Sequence, residues 1–115
     1  MAPDVGLGLG GLSVDDLSAL QLAAQVMAHR AMAAGLPRVG AFFDHLEAEV
    51  VAERAARGQH GARATSDSNP WRVGGLSAND RTAIGESIEL LAANPGLSAP
   101  VRSCARRLLA AKPLS

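Results

Sequence analysis

Apolar residues recur at helical spacing in four stretches of this 115-residue chain, with glycine-rich or polar segments between them. Leu17, Leu20, Ala24, Met27, Ala31 and Ala34 alternate three and four residues apart, which makes one stripe on a helix predicted over about 14–34. At about 100° per residue, Leu22, Val26, Ala19 and Ala33 fall on nearly the opposite side of the same helix. Gln21 and Gln25 separate the two apolar faces on one flank, and Asp16 and Arg30 on the other. A helix with two apolar faces needs a neighbour against each.

Val39, Phe42, Phe43, Leu46 and Val50 form a single stripe on a second helix predicted over about 37–57. Leu36-Pro37 is its short connector from the first, so the two make an antiparallel hairpin. Ile84, Ile88 and Leu91 mark a third helix over about 78–93, closed by Asn94-Pro95-Gly96. Val101, Cys104, Ala105 and Leu108 mark a fourth over about 99–111, with Pro100 in its first turn.

The starts of the two hairpins carry the same signal. Gly-Gly-Leu-Ser occurs at 10–13 and again at 74–77, each time with an aspartate three residues after the serine. Ser13 with Asp16, and Ser77 with Asp80, fit a capping box, in which the serine hydroxyl and the carboxylate satisfy each other's backbone N–H groups. Leu12 and Leu17 have the spacing of a hydrophobic staple, whereas Arg81 stands at the second position of the later copy. The unequal helix lengths argue against a solenoid repeat.

The predicted fold is therefore all-α: two helical hairpins joined by a flexible linker. Residues 1–12 read as a flexible Gly-rich arm, 13–111 as a single helical domain with a loose linker at 58–75, and 112–115 as a tail. The linker is expected to be mobile to about Asn69, with Trp71 anchoring its end in a groove between helices.

Composition thins the expected core. Hydrophobic residues make up 48% of the chain, but many are alanine, and the only aromatic residues are Phe42, Phe43 and Trp71. Alanine buries little area, so either the helices approach closely or a second chain contributes. The second apolar face of the first helix (Leu22, Val26, Ala19, Ala33) is the predicted partner interface, and a two-fold homodimer is the simplest occupant. The protein reads as a regulatory protein–protein interaction module whose further protein partner the sequence does not name.

Charge bears on the alternatives. The formal net charge is zero, which gives the chain no overall attraction to nucleic acid or an anionic membrane. Seven acids against four bases precede residue 58, and four acids against seven bases follow, so the acidic edge is chiefly the second helix and the basic edge chiefly the fourth. Arg102, Arg106 and Arg107 point away from the fourth helix's stripe, and the third and fourth helices have helix-turn-helix lengths, so a DNA-binding regulator is the second reading. A pocket for a small apolar ligand beside Met27, Phe42 and Phe43 is the third; those residues otherwise simply form core.

Candidate chemistry is sparse. His45 and Glu49 are an i, i+4 pair with Asp44 beside them, but ligands on one helix do not complete a metal site, and the first helix offers only His29. Gly6 to Gly11 resembles a dinucleotide-binding glycine run, yet too few residues precede it for the strand that must present it. The single cysteine, Cys104, lies on the inward stripe, where a thiol is inert. No enzyme, metal or cofactor is expected. With no leader pattern, no apolar stretch of membrane-spanning length and no second cysteine for a disulfide, the expected location is the cytoplasm. Alanine and arginine usage, with one lysine, resembles that of a high-GC bacterial genome.

Overall fold

Four helices account for nearly all of the chain that the computed structural model describes, namely residues 9–57, 71 and 75–111. The predicted linker up to residue 70, residues 1–8 of the predicted arm and the 112–115 tail lie outside the described residues. A short 3-10 turn at Leu9–Gly11 opens the described chain, with Leu12 N donating to the Leu9 carbonyl at 3.1 Å. Within the segment read as an arm, Leu9 and Leu12 are both buried in the common core. Two leucines suffice to seat this glycine-rich stretch against the second helix.

Helix α1 spans Val14–Ala33 and begins at the predicted cap. Ser13 Oγ accepts from Asp16 N at 3.0 Å, and Ser13 N donates to the Asp16 carboxylate at 3.3 Å. Gly35 ends it in the left-handed region, φ 78°, where a side chain would be strained. Gly35 N donates to the Met32 carbonyl at 3.1 Å and Leu36 N to the Ala31 carbonyl at 2.8 Å, the two bonds of a Schellman closure. Helix α2 follows at once over Pro37–Arg57, proline filling the position whose N–H would have no partner.

Helix α3 spans Ala78–Ala92 and repeats the capping box through Ser77 and Asp80, both bonds at 3.0 Å. Arg81, at the position where the first copy has a leucine, donates instead to the Leu76 carbonyl at 3.0 Å. Helix α4 spans Ala99–Ala110, with Ser98 as its cap and Pro100 in its first turn. Among the described residues there is no strand, and no helix is long and apolar enough to cross a membrane.

Packing is closest between α1 and α2 and between α3 and α4, so the architecture is two helical hairpins. The α2 stripe (Val39, Phe42, Phe43, Leu46, Val50) is wholly buried, as are Ile84, Ile88 and Leu91 of α3 and Val101, Cys104, Ala105 and Leu108 of α4. Phe42 and Phe43 meet edge to face, with centroids 5.1 Å apart. On α1 the buried stripe is Leu17, Leu20, Ala24, Ala28 and Ala31. Met27 is only half-buried, and Ala34 is exposed at the helix end. At Gly40, α2 comes close to α1: a Cβ there would lie 3.5 Å from the Ala28 carbonyl, an ordinary contact, and 2.8 Å from Met32 Sδ, the movable end of an exposed side chain.

Polar contacts join the hairpins: Arg38 on α2 donates to the Gly75 carbonyl at the entrance to the second hairpin, and Ser98 reaches Asp16. Ser98 Oγ, while capping α4, donates to Asp16 Oδ1 at 2.7 Å, so the carboxylate that closes the α1 cap also holds the start of α4. The Ser98 hydroxyl, ahead of the bonds from Ser13, keeps the Asp16 carboxyl below its ordinary titration range. A depressed folded-state pKa stabilises the fold above the ordinary carboxylate range, and that contribution is lost as pH falls through the folded value. Ser98→Ala should therefore flatten the acid limb of the stability-versus-pH curve, measured by urea unfolding at stepped pH. An unchanged acid limb would mean that the contact contributes nothing.

Candidate interaction surface

Around the axis of α1, the two hairpins occupy adjoining sectors and leave the rest open. α2 lies along one border, where Gln25 Nε2 donates to Glu47 Oε2 at 2.6 Å and Arg54 donates to the Gln21 side chain. α4 meets α1 on the other border, at the Asp16–Ser98 contact. The opposite face carries the residues that the pattern singles out. Leu22 is 61% exposed and Val26 40% exposed, Ala33 is exposed, and Ala19 is half-buried. No other part of the described chain covers this strip, so α2 and the second hairpin do not between them shield both faces of α1.

Further apolar surface adjoins the strip on the α2 side. Val14, Gln21, Val51, Arg54 and Ala55 line an open groove of about 380 Å³ between the start of α1 and the end of α2. Met32 and Leu36 are exposed at the other end of the hairpin. Val51 is not part of the α2 stripe, and its only sequence signal is the doublet Val50-Val51, one residue more than an inward face requires. Exposed apolar residues gathered on one side mark association surfaces more reliably than the same residues scattered.

The chain matches no protein-family model, no curated protein and no solved structure. Its surface must therefore be read from its own residues.

The other singled-out positions are placed as follows. Trp71 is 5% exposed: its ring centroid lies 4.7 Å from that of Phe42, and Nε1 donates to the Leu108 carbonyl at 2.8 Å. It thereby touches both α2 and α4. On α4, Arg106 and Arg107 are exposed, whereas Arg102 is half-buried with its Nε shielded from water and without a hydrogen-bond partner. Arg106 lies about 40° around the helix from Arg102 and Arg107 about 140°, so the three do not share one narrow face. Met27, Phe42 and Phe43 pack within or against the common core. His45 Nε2 lies 3.5 Å from Glu49 Oε2, Asp44 is exposed, and His29 stands exposed on α1. Among the described residues, no three His, Cys, Asp or Glu side chains gather as a metal site would require.

Cys104 is buried on α4. Removal from water pushes its thiol up to about 11, and the nearby Arg107 charge only partly opposes this. The thiolate is the reactive form, so folding should slow modification by a soluble disulfide reagent at pH near 8 by about a hundredfold relative to the unfolded chain. Stopped-flow labelling with and without denaturant measures the ratio. Equal rates would mean that Cys104 is accessible.

Proposed function

We propose that this protein is a helical protein–protein interaction module that self-associates through the outer face of α1. The observation that carries the reading is the uncovered Leu22–Val26 strip, on a helix whose opposite side is packed solidly into the core. Full burial of a leucine or valine side chain is worth about 1.5–3 kcal/mol, and a second polypeptide would recover the part of it that Leu22 and Val26 still leave in water. A second copy is the simplest such polypeptide, since one rotation places the same strip on itself.

The strip is narrow, one helix wide, so it holds one occupant at a time. Pairing with a second copy and docking of a larger protein would therefore exclude each other, and that competition is the physical basis for a regulatory role. A single buried thiol suits the reducing cytoplasm, where we place this exchange.

Light scattering across a concentration series tests the reading. The expected mass rises from 11.8 kDa toward twice that value as concentration increases. A mass fixed at 11.8 kDa to the highest attainable concentration would overturn self-association.

A further inference from the structure

We infer that the second copy lies antiparallel on the first, with Leu22 of each chain against Val26 of the other. The inference rests on the self-association reading above and adds direction and register to it. Asp15, Ala19, Leu22, Val26, His29 and Ala33 are spaced four, three, four, three and four residues apart. Five steps over eighteen residues match the turn of the helix itself, so the six positions keep to one seam along its length. None of the six is buried, and Ala24, on the far side of the helix, is fully buried in the chain's own core. The seam therefore points directly away from the rest of the protein. Ala19 and Ala33 flank the large pair with small side chains, which lets two backbones approach along the whole seam.

Charge selects the direction. The exposed face carries Asp15 at its N-terminal end and Arg30, beside His29, at its C-terminal end. A parallel second copy would set Asp15 against Asp15 and Arg30 against Arg30, with the helix dipoles aligned side by side. An antiparallel copy brings the acidic end of each helix beside the basic end of the other and opposes the dipoles. The two-fold axis then passes level with Ala24. Leu22 meets Val26 twice by symmetry, Ala19 faces His29 of the other copy, and Asp15 faces Ala33. One helix pair buries less than the roughly 1,600 Å² of a standard stable interface, so the pairing is a reversible equilibrium rather than a permanent dimer.

Spin labels on the full chain test the arrangement. Ser18→Cys, Gln25→Cys and Met32→Cys each place one label at an exposed position on α1 beside the seam, and buried Cys104 leaves the wild-type chain as the unlabelled control. Each residue of distance from the axis adds about 3 Å between equivalent positions of the two copies, and helix axes pack about 8–10 Å apart. The antiparallel seam predicts backbone separations of about 10 Å at residue 25, about 20 Å at residue 18 and about 26 Å at residue 32. Three equally short separations would mean a parallel pair and would overturn the inference while leaving self-association intact. A dimeric mass with long separations at all three positions would put the contact on another face and overturn both. A monomeric mass at every concentration would also overturn both.

Discussion

Trp71→Ala is expected to destabilise the protein by about 3–5 kcal/mol, a large share of the about 5–15 kcal/mol that holds a domain of this size. Three losses coincide there. The indole leaves a cavity in a core that is otherwise built largely from alanine and mid-sized aliphatic residues, Phe42 loses the ring 4.7 Å from its own, and the Leu108 carbonyl loses a donor at 2.8 Å. The surroundings cannot collapse into the space easily, because α2 and α4 are each held by their own hairpin partners. Trp71→Phe separates the contributions. It keeps an aromatic ring against Phe42 and removes the N–H, and the Leu108 carbonyl still accepts from Ala111 N at 3.2 Å, so its cost should be about 1–2 kcal/mol. Urea unfolding followed by circular dichroism measures both, since neither variant retains the tryptophan as a fluorescent reporter. A Trp71→Ala cost below about 1 kcal/mol would show that the side chain does not join the hairpins energetically.

Leu22→Asp combined with Val26→Asp should have the opposite profile, with little effect on the fold and a large effect on association. Both side chains already face water within one chain, so monomer stability should change by no more than about 1 kcal/mol, mostly the lower helix propensity of aspartate. A two-fold contact doubles every substitution. Four aliphatic side chains would leave the interface, each worth about 1.5–3 kcal/mol when fully buried, and four carboxylates would face one another across the seam. Even partial burial makes the expected loss at least about a thousandfold in dimer affinity, read by sedimentation across a concentration series. A dimer that survives this double change would place the association surface elsewhere. Leu90 on α3, 67% exposed but remote from this strip in the chain, is the matched control, and Leu90→Asp should leave the affinity unchanged.

Much of the fold is legible in the chain because it is set by neighbours three or four residues apart. Ser13 with Asp16, Ser77 with Asp80 and Gly35 each act within one helical turn, and the helix boundaries fall within a residue of where those signals put them. The stripes of α2, α3 and α4 follow from the same periodicity. Other contacts had no local sign. Ser98 and Asp16 stand 82 residues apart, and Trp71 stands 37 residues from the carbonyl it reaches. The burial of Leu9 depended on α2 passing beside a stretch whose glycines read as flexible, whereas Leu12 already carried the staple spacing to Leu17.

The candidate surface divides in the same way. The sequence by itself determined that α1 has two apolar faces, because the periodicity of its own residues decides that and no partner can alter it. Only the tertiary structure decided that the Leu17–Ala31 face is packed and the Leu22–Val26 face left in water. That choice lies in how two hairpins fit around one helix, where side-chain size across a gap, not position along the chain, sets which face closes.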